Sequence, residues 1–298
     1  MLPEFLLVGA PKAGSTTIHD VLDQHDGIYL PVSKELHFFD DDSAYAKGRE
    51  WYELHFSETR PGQIAGEVTP AYMSYQTTPQ RVHETLGSDV KLIFTLREPV
   101  ARAYSEFLHN RRRGFFEGNF EDAIRWEFES PDLPPWDRRK FSFISRGYYA
   151  HQISRFLKVF PRENMFFVIL EEDLREKSRQ TFLALQDFLG VDPQELDVRR
   201  RSNRAYEPRS MLAQRILHGE NKLQRWARAI VKSGRLRQQI RRRLLGFNTA
   251  RRRPPELSQE LISRIQQRFF TAEIVELEKI LRRDLSVWRE TREARDRG

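Results

Sequence analysis

Hydrophobic and polar positions follow two different periods along the first two thirds of the chain. Short apolar runs, of the kind found in strands buried on both faces, occur at residues 4–8, 63–68, 90–96 and 164–170. Between these runs the apolar positions recur every three or four residues, which predicts helices from Ser15 onward and near residues 79–86, 99–110, 148–159 and 174–189. Because strand and helix alternate, the pattern predicts an α/β fold with a central parallel sheet flanked by helices on both faces.

The final third of the chain has the pattern of helix alone, so we expect a helical C-terminal region. Pro254 and Pro255 separate a basic stretch from a last amphipathic helix, in which four residues are predicted to share one face: Leu257, Leu261, Ile265 and Phe269. We find no internal repeat and no low-complexity linker, and we predict a single domain over residues 1–298.

The amino-acid composition excludes several classes of protein and of functional site. Hydrophobic residues make up 39% of the 298 residues and aromatic residues 12%, enough for a packed core. The chain has no Cys, which excludes disulfides, thiol catalysis and Cys-ligated zinc. No apolar run approaches the ~18 residues of a membrane-spanning helix, and Glu4 stands where a signal peptide carries positive charge. We therefore expect a soluble, uncleaved, cytoplasmic protein.

Positive charge is concentrated in residues 199–253, here termed the basic segment. It holds eighteen Lys and Arg and two acidic residues, a net charge of +16 against +7 for the whole chain, so the remainder carries −9. Its apolar residues recur near helical spacing: Leu212, Ile216, Leu223, Trp226, Ile230 and Leu236. Such a helix can lie on an anionic membrane surface, here the inner face of the membrane, or close over a substrate cleft as a lid. Nucleic acid is the less favoured partner, because no nucleic-acid motif is recognised and the rest of the chain is acidic.

The sequence GAPKAGSTT at residues 9–17 follows the first strand and opens a helix. A glycine-rich turn before a helix directs backbone N–H groups and the helix dipole at one point, which makes an anion site. Lys12 inside the turn adds a charge. The predicted anion-binding residues are Lys12, Ala13, Gly14, Ser15, Thr16 and Thr17.

The loop is P-loop-like in the spacing of Gly9 and Gly14, but two positions distinguish the sequence from that of a nucleotide hydrolase. Ser15 stands where the hydrolase loop carries its lysine, and the run at 90–96 leads to Arg97 and not to the Asp that would hold magnesium. No residues have metal-ligand spacing elsewhere in the sequence. We therefore expect the phosphate site to operate without a metal.

The motifs together resemble the sulfotransferases that use 3′-phosphoadenosine 5′-phosphosulfate (PAPS). PKAGSTT at 11–17 resembles the family's 5′-phosphosulfate loop, and LREPVARAYSEF at 96–107 resembles its 3′-phosphate motif, in which Arg97 and Ser105 would bind that phosphate. KELHFFD at 34–40 and GEVTPAY at 66–72 are similar to motifs of the glycan-modifying branch, which includes heparan-sulfate sulfotransferases and bacterial relatives.

The resemblance continues through later segments, with two departures. Residues 146–174 are similar to the branch's later helix–strand unit, and RRDLSVW at 282–288 to its terminal helix. Val68 stands near the position where the branch often has a lysine. SNRAYEPR at 202–209 replaces the branch's late cofactor loop and its neighbouring disulfide, which leaves Asn203 and Arg204 as the candidate cofactor contacts there.

The resemblance implies in-line transfer of a sulfuryl group from PAPS to a hydroxyl or amine. Lys12 would stabilise the leaving nucleotide, and Glu35 would be the general base. Lys34 would bind the transferring sulfonate or tune Glu35, while His37 is the competing candidate for the base because the pKa of free histidine suits that role. Glu67 would orient the substrate or Lys34.

We predict from these residues a PAPS-dependent sulfotransferase acting on a small-molecule, glycan or glycolipid acceptor. One alternative is a nucleotide-binding protein without transferase activity that docks on a membrane or nucleic acid through the basic segment. A second is a P-loop kinase, which would require magnesium and ATP. The acceptor itself is not identified by the sequence.

Overall fold

A five-stranded parallel sheet forms the centre of the fold. The computed structural model describes residues 1–130, 140–199, 207–208, 249–250 and 255–289. The strands lie in the order β2-β3-β1-β4-β5, and each neighbouring pair is parallel. They are β1 (Phe5–Gly9), β2 (Ile28–Tyr29), β3 (Ile64–Val68), β4 (Lys91–Leu96) and β5 (Met165–Ile169). The predicted parallel sheet is confirmed.

Helices connect and cover these strands. In chain order they are α1 (Ser15–Leu22), α2 (Asp42–Tyr45), α3 (Gly48–Glu53), α4 (Thr78–Leu86), α5 (Pro99–Arg112), α6 (Phe120–Glu129), α7 (Tyr149–Leu157), α8 (Ser178–Leu189), α9 (Gln259–Ile265) and α10 (Thr271–Leu281). Helix α8 begins four residues later than predicted, after a π-helical turn over Leu170–Leu174. The short elements β2, α2 and α3 were not predicted, and neither was α6.

The chain divides into two compact units, of which the first contains the sheet. It comprises residues 1–102, 146–203 and 263–298. On one face of the sheet, Leu7 and Ile93 lie in a buried cluster with side chains from α1 and α8, among them Ile18, Leu22 and Phe182. On the other face, Phe94 packs against Phe156 of α7, with ring centroids 5.3 Å apart. Helices therefore cover both faces, as predicted.

The second unit comprises residues 103–145 and 204–262. Its described core is a set of aromatic rings in mutual contact: Tyr104, Phe107, Phe116, Phe120, Trp126, Phe141 and Phe143. Two short strands, β6 (Glu207–Pro208) and β7 (Thr249–Ala250), pair antiparallel in a region where only helix was expected. The single-domain assignment stays a prediction.

The C-terminal helices differ from the predicted apolar face in one position. Between α9 and α10 the chain makes a π-helical turn over Gln266–Phe270. This turn contains an extra residue, so the buried position after Ile265 is Phe270 and not Phe269, which is half-buried. The ring of Phe270 lies so close to Gly147 that a Cβ there would be 2.7 Å from it.

The last described residues contact the turn that follows β5. Arg283 donates two hydrogen bonds of 2.7 Å to the Asp173 carboxylate and a further one to Glu172. The indole N–H of Trp288 donates to the buried Glu171 at 3.1 Å. The C-terminal segment thus fixes the turn that follows β5.

Several predictions fall on residues outside the described ranges. Asn203, Arg204 and most of the basic segment, including Trp226, lie there, so the membrane, lid and nucleic-acid alternatives stay predictions. Within the described ranges, no helix is both long and apolar enough to cross a membrane.

Candidate active site

Two glycines shape the loop between β1 and α1. A Cβ on Gly9 would lie 2.3 Å from the Cβ of Met73 and 2.9 Å from the carbonyl oxygen of Pro70, so only glycine allows the turn after β3 to approach this closely. Gly14 has a φ of 101°, and a Cβ there would lie 2.7 Å from a side-chain carbon of Leu174. Both glycines of GAPKAGSTT are therefore required by the fold.

The loop presents its hydrogen-bond donors at the start of α1. Gly14 is the residue that precedes the helix, and it has no side chain to cap it. The first-turn amides of Ser15, Thr16 and Thr17 have no intrahelical acceptor, as at any helix N-terminus. Together with the positive end of the helix dipole they are suited to bind an anion.

Arg97 joins this loop from the end of β4. Its guanidinium donates a hydrogen bond of 3.2 Å to the carbonyl oxygen of Lys12. Its Nε is buried and has no hydrogen-bond partner among the described residues. Burial lowers the pKa of Arg97, although a guanidinium remains protonated at neutral pH. The unsatisfied N–H of a buried cation marks a place where an anionic ligand would be stabilised.

Ser105, the predicted partner of Arg97, lies within α5, which begins two residues after Arg97. Arg97 belongs to the first unit and Ser105 to the second, so their joint contact with one phosphate stays a prediction.

The partly buried Glu98 and the buried Glu171 are carboxylates that the sequence did not point to. The Glu98 side chain accepts hydrogen bonds from the amides of Val100 at 3.0 Å and Ala101 at 2.6 Å, and so caps α5. Burial raises the pKa of Glu98 to about 7. Glu171 accepts the Glu98 amide at 3.3 Å. A glutamate directly before a proline that opens a helix is the signal that could have identified the cap.

Lys34 links the KELHFFD segment to the phosphate loop. Its ammonium donates a hydrogen bond of 3.1 Å to the hydroxyl of Thr16. Burial lowers the pKa of Lys34, while the neighbouring charges of Glu35 and Asp20 oppose this shift. The Lys34 ammonium is therefore held at the edge of the phosphate loop, although Lys34 lies eighteen residues after Thr16 in the sequence.

Glu35, His37 and Asp40 form a line of three interacting groups. Glu35 and His37 both adopt left-handed backbone conformations, with φ of 61° and 55°. The Nε2 of His37 lies 3.7 Å from a Glu35 carboxylate oxygen, and its Nδ1 lies 3.0 Å from the buried Asp40 carboxylate. The hydrogen bond to Asp40 is the main cause that raises the pKa of His37. Asp40 ends the KELHFFD motif but was not singled out from sequence.

Glu67 is fully enclosed at the end of β3. Its carboxylate accepts hydrogen bonds from the hydroxyls of Tyr52 at 2.5 Å, Thr69 at 2.5 Å and Tyr72 at 2.6 Å. Burial raises the pKa of Glu67, and the three hydroxyl donors oppose this. The predicted role of orienting a substrate or Lys34 stays a prediction. Its observed partners are these three hydroxyls.

The structure thus brings together Lys12, Thr16, Lys34 and Arg97 around the loop, and Glu35 with His37 on the adjoining segment. Among the residues that the structure describes, no group of three or more His, Asp and Glu is arranged to hold a metal ion. The expected absence of a metal stays a prediction.

The chain is similar to curated proteins over about two thirds of its length. It is 29% identical over 198 residues to heparan sulfate glucosamine 3-O-sulfotransferase 5 of Mus musculus, covering 64% of this chain and 54% of that protein. It is 31% identical over 190 residues to heparan sulfate glucosamine 3-O-sulfotransferase 3B1 of Mus musculus, covering 64% of this chain and 46% of that protein. The chain therefore spans about half the length of these relatives.

A solved structure shares the fold. The sulfotransferase from Alicyclobacillus acidocaldarius superposes with a TM-score of 0.70 at 24% identity, covering 97% of this chain and all of that one. A family model described as the sulfotransferase domain matches residues 2–209. Since this match covers more than half of the sequence, the chain belongs to the sulfotransferase family.

Proposed function

We propose that this protein transfers a sulfuryl group from PAPS to a hydroxyl or amine of a carbohydrate or glycolipid acceptor. The observation that carries the proposal is the hydrogen bond from Lys34 to Thr16, because it holds the segment with Glu35 and His37 against the anion-binding loop. The carbohydrate class is supported by the names of the curated relatives, which act on heparan sulfate glucosamine.

The donor would be held by the loop after β1 and by Arg97. Lys12 and the amides of residues 13–17 would bind the 5′-phosphosulfate of PAPS. Arg97 and Ser105 would bind its 3′-phosphate. The described residues fit such a ligand, since Arg97 has a buried N–H without a protein partner and the first turn of α1 has no side-chain cap. When bound, PAPS supplies the activated sulfuryl group. Asn203 and Arg204 remain proposed contacts from sequence.

Glu35 is the group we assign as general base. Its carboxylate would accept the proton of the acceptor hydroxyl or amine as the new bond to sulfur forms. His37 is less suited to accept that proton, because its bond to Asp40 raises its pKa and so increases the protonated fraction at neutral pH. A protonated His37 would instead be a cation 3.7 Å from a Glu35 carboxylate oxygen.

Positive charge would stabilise the departing nucleotide. Lys12 lies inside the loop, and the Lys34 ammonium is fixed on Thr16 beside it. Charges fixed before the reaction need no reorganisation as negative charge develops on the leaving oxygen. The two lysines and the first-turn amides can therefore act together without a metal ion.

Two measurements test the proposal. Calorimetric titration with 3′-phosphoadenosine 5′-phosphate should give binding that is independent of magnesium, and labelled PAPS should transfer its label to a member of a panel of glycan and glycolipid acceptors. Magnesium-dependent binding of ATP in preference to that nucleotide would support the kinase alternative. Nucleotide binding without label transfer to any member of a broad acceptor panel would support the non-catalytic alternative.

A further inference from the structure

The hydroxyl of Tyr72 connects a buried carboxylate to the segment that carries Glu35. It donates to Glu67 at 2.6 Å and accepts the backbone amides of Phe38 at 2.9 Å and Phe39 at 3.4 Å. Tyr72 and Glu67 are almost completely buried, so these bonds are shielded from water. The Glu67 oxygen accepts the Tyr72 O–H, and this leaves the phenol lone pairs directed at the two amides.

The segment that Tyr72 binds has an unfavourable backbone conformation. Glu35 and His37 have positive φ values, which are uncommon for residues other than glycine and persist only where surrounding contacts impose them. Phe38 follows His37 directly, and Asp40, the partner of His37, comes two residues after Phe38. The amides bonded to Tyr72 therefore lie between His37 and its partner Asp40 in the sequence.

The turn that carries Tyr72 also contacts the donor loop. Thr69 extends the pairing of β3 with β1, since its amide donates to the carbonyl of Leu7 at 3.1 Å. One residue after Thr69, the carbonyl of Pro70 packs against Gly9, and four residues after it so does Met73, with no room for a Cβ on Gly9. One short turn thus contacts both the phosphate loop and the Glu35 segment.

We propose that Glu67 and Tyr72 form a positioning pair, which sets the placement of Glu35 and His37 relative to the phosphate loop. This inference rests on the proposed function and assigns Glu67 a role through Tyr72 and the backbone, without contact to substrate. The pair acts on alignment of the general base, so its loss should lower the rate of the chemical step more than it weakens donor binding.

Tyr52 supplies a matched control for this role. It is also fully buried and donates to the same Glu67 carboxylate at 2.5 Å. Its ring stacks on Phe38 with centroids 4.4 Å apart, a contact that phenylalanine would retain. The structure gives its hydroxyl a bond to Glu67 and none to the Phe38 and Phe39 amides. Tyr52→Phe and Tyr72→Phe therefore each remove one donor from Glu67, but only the second releases the Glu35 segment.

The test compares these two variants by kinetics. We expect a larger loss of thermal stability in Tyr72→Phe, since it also leaves the buried Phe38 and Phe39 amides without their acceptor. We further expect a fall in kcat of about 10- to 100-fold in Tyr72→Phe and a much smaller fall in Tyr52→Phe. The KM for PAPS should change little in either, and the pH profile of kcat should shift in Tyr72→Phe alone. Equal kcat values in the two variants would overturn the positioning role.

A second measurement does not depend on sulfotransfer. Amide hydrogen exchange at Phe38 and Phe39, followed in the intact protein, should accelerate in Tyr72→Phe and remain close to wild type in Tyr52→Phe. Unchanged exchange in Tyr72→Phe would overturn the inference even in an active enzyme. Accelerated exchange in a protein with no transferase activity would support the pair while contradicting the proposed function.

Discussion

The ammonium of Lys34 donates a hydrogen bond of 3.1 Å to the hydroxyl of Thr16 and so joins the segment that carries Glu35 to the loop between β1 and α1. Half-buried lysines lose part of their hydration, and burial indeed lowers the pKa of Lys34. The bond therefore places a partly desolvated cation beside the loop that we propose to bind the donor.

This contact can be measured with a double-mutant cycle. Lys34→Met and Thr16→Val should each lower kcat, and the double variant should be hardly worse than Lys34→Met alone, because both substitutions disrupt the same contact. Steady-state kinetics of the wild type, the two single variants and the double variant give the coupling free energy between Lys34 and Thr16. Strictly additive effects would mean that the two side chains act independently.

Lys12 is expected to act on the transition state. Removing its ammonium should lower kcat by about 10²- to 10³-fold while nucleotide binding weakens much less. Because Lys12 has a φ of 67°, Lys12→Gly removes the side chain and also relieves the backbone, whereas Lys12→Ala retains the unfavourable conformation. The two variants should therefore show equal kcat but different thermal stability. Turnover at the wild-type rate in either would remove Lys12 from the mechanism.

Glu35→Gln should separate binding from chemistry. Gln keeps the shape of the side chain but cannot accept a proton, so kcat should fall by about 10²- to 10⁴-fold with calorimetric affinity for 3′-phosphoadenosine 5′-phosphate unchanged. His37→Ala, made in parallel, should be less impaired. An active Glu35→Gln protein beside an inactive His37→Ala protein would assign the base to His37.

Arg97 and Ser105 should distinguish nucleotides that carry a 3′-phosphate from those that lack it. Loss of a charge-assisted contact costs about 1.5–3 kcal/mol, which weakens binding roughly 10- to 100-fold. Arg97 also holds the Lys12 carbonyl, so its variant should lose some affinity for adenosine 5′-phosphosulfate as well. Ser105→Ala is the cleaner probe, and calorimetry should show its loss for 3′-phosphoadenosine 5′-phosphate alone. Equal losses of affinity for both nucleotides in Ser105→Ala would contradict the assignment.

Glu98 should make stability depend on pH. Its pKa in the folded protein is about 7 against an ordinary 4.5, so between these values the folded state keeps a proton that the unfolded state releases. Stability should therefore fall as pH rises through that window, by about 3 kcal/mol in total from this group. Urea unfolding at pH 5, 6, 7 and 8 should show a shallower decline for Glu98→Gln than for wild type. Parallel curves would exclude Glu98 as the cause.

The sheet was predictable because its central strands are buried along nearly their whole length. β1 and β4 accordingly have continuous apolar runs that need no partner to be recognised. β2 has two residues, too few to show any period. The shift of the buried position from Phe269 to Phe270 could not be predicted, because a π-helical turn inserts a residue without a distinct pattern.

The candidate site was predictable in its residue types but not in its contacts. Glu35 and His37 were identified from a motif, yet the sequence gives no sign of their positive φ values. Tyr52 and Asp40 were missed because their importance arises from tertiary contacts with Glu67 and His37. A buried hydroxyl donor has the same sequence signature as an ordinary core tyrosine.

The contacts of Arg283 and Trp288 with residues 171–173 have a consequence for synthesis. More than a hundred residues separate these partners, so on the ribosome β5 and its turn emerge long before Arg283 and Trp288 are made. Until then Glu171, Glu172 and Asp173 lack these partners, and Leu170 and Leu174, whose side chains lie against Gly14, belong to a turn not yet fixed. The support that this turn gives to the loop around Gly14 is therefore complete only after residue 288 has been added.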